Sequence, residues 1–171
     1  YSLLTKLKEL NPDAVFVPGQ ITEGVHIIKQ AREIGFKTQW LGLAGFAFDK
    51  FIELGGEAVE GTIFPSYFEP DERYYPNSDK FVEKYKKRYN ENPDMLSISG
   101  YEAMYLLAEA IKYAGGGDRE KIREGLKQIK DLQVVTNPLT FDENGQTTQD
   151  ILLVKVENGK RVPLISTKEL K

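Results

Sequence analysis

The chain reads as an α/β fold: an open, mostly parallel sheet with flanking helices, plus a C-terminal antiparallel hairpin. Three observations predict it. Short apolar runs of strand length alternate three times with segments of helical period, the connections between them are short, and the alternation gives way near the end to two β-rich runs around Asn158-Gly159. Alternation of this kind is the sequence form of parallel strands joined by right-handed helical crossovers.

The elements follow in order. Leu3, Leu4, Leu7 and Leu10 recur at helical spacing, and the helix must stop where Asn11 precedes Pro12, because the proline ring disfavours the α region for the residue before it. This helix begins almost at the first residue, as if its preceding strand were absent. Ala14-Val15-Phe16-Val17, bounded by Pro12-Asp13 and Pro18-Gly19, predicts a strand buried on both faces. Thr22 offers an N-cap oxygen for the next helix, Val25, Ile28, Ala31 and Ile34 form its apolar stripe, and Gly35 supplies a left-handed stop. Gln39-Trp40-Leu41 is the second strand, followed by the loop Gly42 to Phe46 and a short helix from Asp49 to Leu54 that Gly55-Gly56 ends. Gly61 to Phe64 is the third strand, and the polar, aromatic loop from Pro65 to Asn77 leads to a helix capped by Asn77 or Ser78.

Beyond Asn92-Pro93-Asp94 the character changes. A longer helix is predicted from Ser97 to Ala114, with Ile98, Tyr101, Tyr105, Ala108 and Ile111 on one broad apolar face flanked by Met104 and Leu107. Gly115-Gly116-Gly117 ends it, Asp118 caps a further helix through Lys130, and Val134 to Phe141 is predicted to be extended. Asp142 to Gly145 is a turn. Ile151–Val156 and Arg161–Ile165 pair around Asn158-Gly159, a dipeptide whose tolerance of positive φ makes it the favoured two-residue hairpin turn.

Composition narrows the function. The chain is 40% hydrophobic and 29% charged, with 23 basic against 26 acidic residues, so it belongs with ordinary globular chains and shows no basic face for nucleic acid. Uninterrupted apolar runs such as Ile151 to Val154 fall far short of the roughly 18–20 residues that span a bilayer. With no Cys, thiol catalysis and thiolate metal sites are excluded. The chain starts without Met or a charged-then-apolar leader, as expected of a mature product or a piece of a longer one.

The chemistry-bearing patterns are few. His26 is the one histidine, placed on a helix without local partners, so no triad or metal centre forms around it. The glycine triplet follows a helix and lacks the Lys-Ser/Thr of a phosphate loop. In Lys84-Tyr85-Lys86-Lys87-Arg88-Tyr89, helical spacing sends Phe81, Val82, Tyr85 and Tyr89 inward and the cations to solvent. The more informative geometry is the sheet itself. Parallel strands end on one edge, so Gln20 and Thr22, the Ala44–Phe46 loop and the Ser66–Phe68 stretch with Tyr67 share one rim, where ligands of such sheets bind. Phe46 and Tyr67 either face the ligand or cover the core. Gln20 is a long amide directly after a buried strand and Pro18-Gly19, well placed to reach into a crevice.

Several segments carry a resemblance. Lys6 to Gly19, Ile28 to Lys37, Gly55 to Gly61, Phe81 to Tyr89, Gly100-Tyr101-Glu102-Ala103 and Pro138 to Gly145, in this order and spacing, resemble the branched-chain amino-acid type of ABC-transporter solute-binding protein, with its type 1 periplasmic-binding fold. The likeness covers essentially the whole chain but only the C-terminal half of such proteins. It implies residues 1–95 as the core of the second lobe, 96–140 as crossover helices and strand belonging with a missing N-terminal lobe, and 141–171 as the return to the second lobe with the hairpin.

The same resemblance implies a non-catalytic component of an ABC importer, closing two lobes about a hinge on a branched-chain amino acid, an amide or a related small polar solute. Its further partner is a membrane permease. It implies no cofactor, no metal and no catalytic residue, and a periplasmic or extracellular location, with membrane anchoring through an absent N-terminus. Gln20 stands where a ligand-facing tyrosine often sits, and Leu96 where an aromatic covers the ligand side chain, with Tyr101 near the hinge. Ala44 stands where amino-acid binders commonly place an acid for the ligand ammonium, and a methyl group cannot pair with that charge. The alternatives are a cytosolic small-molecule-sensing regulator of the same fold and, behind it, a small α/β hydrolase. The broad apolar face of the helix from Ser97 to Ala114 is also expected to drive homodimerisation of the isolated chain.

Overall fold

The computed structural model describes residues 2–147 and 149–170. The chain divides into two compact units, one formed by the chain up to Glu69 together with the chain from Ile151 on, the other by Pro70–Asp150. The helix predicted to follow an Asn77 or Ser78 cap falls in the second unit, ahead of residue 95.

The first unit holds a five-stranded sheet in the order β1-β2-β3-β4-β5. Helix α1 (Ser2–Leu10) ends as predicted: Asn11 takes a left-handed φ of 45° and its N–H donates to Lys8 O at 3.0 Å. Strands β1 (Ala14–Val17) and β2 (Gln39–Gly42) pair in parallel along their length. The expectation that β1 is buried on both faces is corrected: Val17 is buried, but Phe16 is 54% exposed and Ala14 is open as well. The exposed Ala14 and Phe16 alternate with Val15 and Val17, so they share one face of the strand and only the other is covered.

Helix α2 (Ile21–Glu33) links these strands and starts one residue before Thr22. Gln20 occupies the N-cap position with extended backbone and no side-chain cap, so Thr22 is an exposed first-turn residue and not the cap. At its other end Gly35 takes φ 67°, as predicted. After α3 (Asp49–Gly55), strand β3 begins at Ile63, two residues later than expected, and runs through Pro65 to Ser66. Gly61 turns at φ 79° and donates its N–H to Val156 O at 2.9 Å, which delays the strand. Pro65 is tolerated because the parallel pairing to β2 rests on Leu41 and Ile63, ahead of the proline.

Strands β4 (Leu152–Glu157) and β5 (Lys160–Ser166) complete the sheet antiparallel to β3 and to each other. Asn158 and Gly159 turn at φ 53° and 68°, and the Glu60 carboxylate accepts both of their N–H groups at 3.0 and 2.6 Å. Buried Trp40, Phe64, Val154 and Val156 mark the covered face.

In the second unit, α4 (Ser78–Tyr89), α5 (Met95–Ala114) and α6 (Arg119–Gln128) are joined by short connections. Helix α5 starts earlier than Ser97 because Asp94 Oδ1 accepts from both Ser97 N and Ser97 Oγ at 2.7 Å. Although burial raises the Asp94 carboxyl, these hydrogen bonds hold it below the usual range. Asp118 caps α6 as predicted, accepting from Lys121 N at 3.0 Å. The stretch predicted to extend over 134–141 instead folds back, with Leu132 and Leu139 exchanging backbone hydrogen bonds at 2.9 and 3.0 Å. Tyr89 is exposed and Val82 half-buried, so of the residues expected inward on α4 only Phe81 is fully buried.

A buried carboxylate anchors that folded-back stretch. Glu102 Oε1 accepts from Thr136 N at 2.7 Å and Oε2 from Thr136 Oγ1 at 3.0 Å. Burial raises its pKa above the ordinary 4.5, partly offset by the bonds from Thr136. A carboxyl that holds its proton more tightly when folded contributes stability below the unfolded pKa and loses it as pH rises through the folded one. Glu102→Gln keeps one acceptor and a donor for the hydroxyl, so its stability gains on wild type as pH is raised from about 4.5, read in urea titrations across pH. Glu102→Ala strands the Thr136 N–H and costs about 1–3 kcal/mol in the same titrations at neutral pH.

Candidate functional site

The carboxyl ends of β1 and β2 set the candidate rim. Val17 ends β1, and Pro18-Gly19 carries the chain to Gln20, whose carbonyl accepts the Gly24 N–H at 2.9 Å as α2 begins. Gln20 is exposed, and its side-chain oxygen lies 3.2 Å from where a methyl on Gly45 would stand. The amide therefore rests on the loop after β2, at the point where that loop has no side chain. Because no side chain caps α2, its first-turn N–H groups open at the same place, the positive end of a 13-residue helix.

That loop is a single 3-10 turn over Ala44–Phe46, closed by Phe46 N to Leu43 O at 2.9 Å and Ala47 N to Ala44 O at 3.0 Å. Its height is set from below. Phe46 is fully buried, stacked on Phe51 at 4.2 Å between ring centroids and edge-on to Phe64 at 6.2 Å. A Cβ on Gly24 or on Gly42 would come within 2.2 Å of this ring, so both glycines exist as the slot that admits it. Phe46 is therefore a core side chain that props the turn, in keeping with the core-covering one of the two readings open for it. Ala44 caps the prop as a half-buried methyl, and Leu43 beside it is exposed, a rim residue that sequence reasoning passed over.

Tyr67 follows β3 and is 44% exposed. Ser66 beside it is buried and donates its hydroxyl to Phe68 O at 3.0 Å, which fixes the bend that turns the chain out of the sheet. The structure thus brings Gln20 together with the Ala44–Phe46 turn. Leu96 and Tyr101 belong to the other compact unit. Leu96 is exposed in the first turn of α5, whereas Tyr101 lies 5.0 Å from the Phe81 ring and donates to Tyr105 Oη at 3.0 Å. Tyr101 joins Phe81, Tyr85 and Tyr89 in lining a groove of about 440 Å³ beside α4, edged by Lys80, Lys84 and Arg88.

A second polar feature left no sequence signal. Arg161 Nε donates to both oxygens of Glu69 at 2.9 and 3.0 Å, and its Nη1 reaches Asp49. Glu69 is buried, and burial raises its pKa against the opposing pull of Arg161. Removing one partner of such a pair leaves an unpaired buried charge, so the guanidinium ties α3, β5 and the last residue before the chain leaves this unit.

A parallel strand–helix array with its open rim at the strand ends, completed by an antiparallel hairpin, is the architecture of a type 1 periplasmic-binding fold. The chain belongs to the periplasmic binding protein family, whose model matches residues 1–161. It is 31% identical over 144 residues to Leu/Ile/Val-binding protein homolog 1 of Brucella suis, a match that takes in 84% of this chain and 38% of that protein. Among solved structures, the leucine-binding protein LivK of Thermotoga maritima is 34% identical with a TM-score of 0.88, over 96% of this chain and 47% of that one. LivJ of Streptococcus pneumoniae, solved with isoleucine, is 28% identical with a TM-score of 0.84, over 95% and 48%. The chain therefore spans less than half the length of the relatives it matches. The family is one of non-catalytic, transport-linked binding proteins related to branched-chain amino-acid binders, located in the periplasm or outside the cell.

The Phe46 slot generates a direct test. Phe46→Ala is expected to cost about 3–5 kcal/mol in urea denaturation. Gly24→Ala alone costs about 1–3 kcal/mol through overpacking. In the Phe46→Ala background the same Gly24→Ala change costs nothing, because the ring it collides with is gone.

Proposed function

We propose that this chain is the C-terminal half of a solute-binding component of an ABC importer, binding a branched-chain amino acid or a related small polar solute by closure of two lobes. In this reading the strand–helix unit and the hairpin build most of the second lobe. Residues 96–140 belong with a first lobe that the matched relatives' greater length leaves room for, and a membrane permease receives the solute. No step of catalysis is involved: the chain holds a solute without altering it.

The observation that carries the reading is the placement of the Gln20 amide against the Ala44–Phe46 turn at the carboxyl edge of the sheet. Gln20 supplies a donor and an acceptor to the ligand, Thr22 and Tyr67 flank it, and Leu96 and Tyr101 serve near the hinge. Ala44 brings no charge to this rim. A ligand ammonium bound at this rim takes its counter-charge from elsewhere, whereas a neutral amide among the related solutes needs none.

Isothermal titration calorimetry on the full-length protein tests this with L-leucine, L-isoleucine, acetamide and urea as probes. Gln20→Ala should weaken binding of the solute that the wild type takes by about tenfold or more, the worth of one desolvated hydrogen bond. Ala44→Glu should shift preference toward L-leucine by at least a similar factor. An unchanged dissociation constant for Gln20→Ala removes that residue from the site.

A further inference from the structure

Two Asn-Gly pairs stand in turns, at 144–145 and 158–159. In both the glycine takes a positive φ, 77° and 68°, and neither asparagine side-chain amide has a polar partner among the described residues. Asparagine is a thermolabile residue, and a following glycine, with no side chain in the way, opens one route of loss. The glycine nitrogen gives up its proton and attacks the asparagine side-chain carbonyl carbon. A C–N bond forms to close a succinimide, the bond to the side-chain nitrogen breaks, and ammonia leaves with the proton the glycine lost. Water then adds across either ring C–N bond and gives aspartate or isoaspartate, with no net oxidation or reduction.

The two turns differ in what holds the attacking nitrogen. Gly159 N–H donates to Glu60 Oε1 at 2.6 Å, and Asn158 N–H to Oε2 at 3.0 Å. Glu60 lies 98 residues before Asn158, and its own backbone is fixed: Arg32 of α2 donates Nη2 to Glu60 O and Nε to Ala58 O, both at 3.1 Å. Gly145 N–H donates instead to the neutral carbonyl of Asp142 at 3.1 Å. A carboxylate holds the protonated amide by a short, charge-assisted bond and opposes the negative charge the nitrogen must develop to attack. A neutral carbonyl does so far less. We propose that Asn144 is the deamidation site of this chain and that Glu60 guards Asn158 against the same reaction. What is guarded is the register of the hairpin. An isoaspartyl link at 158 would add a backbone atom to the turn between the paired Glu157 and Lys160, and Arg161, which holds Glu69 and Asp49, follows directly. This goes beyond the solute-binding reading and does not depend on it.

The test is peptide mapping by mass spectrometry of the 171-residue chain held near neutral pH, with aspartate and isoaspartate at each site followed over time. In concentrated urea the two sites should convert at similar rates, because both precede glycine. In the folded chain Asn158 should convert at least about tenfold more slowly than Asn144, the effect of one charge-assisted hydrogen bond. Glu60→Gln, which removes the charge and leaves one acceptor for both N–H groups, should speed Asn158 by about tenfold and leave Asn144 unchanged. Emission of Trp40, the one tryptophan and 1% exposed, should show that this variant keeps its fold. Gly24→Ala, which crowds Phe46 in the same unit without touching the turn, should leave Asn158 slow. An Asn158 that converts as fast as Asn144 in the folded wild type overturns the proposal. So does a Glu60→Gln rate at Asn158 that is unchanged or slower, the latter meaning that the carboxylate acts as the base, or a Gly24→Ala rate that rises as far as that of Glu60→Gln. If Glu60→Gln loses the fold, the wild-type ratio of the two sites decides.

Discussion

One ring organises the rim. Phe46 sits in a slot made by the absence of two side chains, at Gly24 on α2 and Gly42 at the end of β2, and it stacks on Phe51 of α3. A helix, a strand end and the next helix are thereby referred to a single rigid object, whose position leaves no freedom to the 3-10 turn above it. The turn in turn decides where Ala44 stands and what the Gln20 amide rests on. The chemistry of the rim is carried by side chains that touch water, but their geometry is decided by one that does not. The interior is close-packed, so a displacement of the ring is transmitted to the loop above it.

Two buried acids mark where irregular chain is fastened. Glu69, the last residue before the chain leaves the first unit, is held by Arg161, and Glu102 holds Thr136 within the second. In both cases burial opposes the charge and specific donors offset it only in part. At the other passage between the units, the Ile151 N–H donates to Thr167 Oγ1 at 3.1 Å and Thr167 N–H to Ile151 O at 2.9 Å. Each point at which the chain enters or leaves the first unit is thus pinned on that unit's side.

What sequence reveals here follows from whether the signal is local. Asn11-Pro12, Gly35, Asp118 and Asn158-Gly159 act through their own backbone, and each forms the stop, cap or turn expected of it. The strand–helix alternation was legible for the same reason. Errors arose where a neighbour distant in sequence decided the outcome. Gly61 turns because Val156 accepts its N–H, and residues 134–141 fold back under the hold of Glu102. For the rim, the position of Gln20 and the loop after β2 could be read from topology alone. That Phe46 points inward could not, because the slot is built by two glycines that look, in sequence, like ordinary residues of a helix and a strand end.

The sheet is assembled from two stretches of chain separated by the whole of Pro70–Asp150. Strand β3 finds its antiparallel neighbour only when β4 arrives from beyond that insertion. During synthesis β1, β2, β3 and their helices emerge with the β3 edge unfilled and must wait for β4. The entropic penalty for the delay is modest, since each doubling of a closed loop adds only about 0.6 kcal/mol, and an insertion that folds early shortens the effective loop further. The kinetic consequence is larger. An open β3 edge is a template for any passing strand, so the nascent chain is most vulnerable to mispairing in the interval before β4 leaves the ribosome.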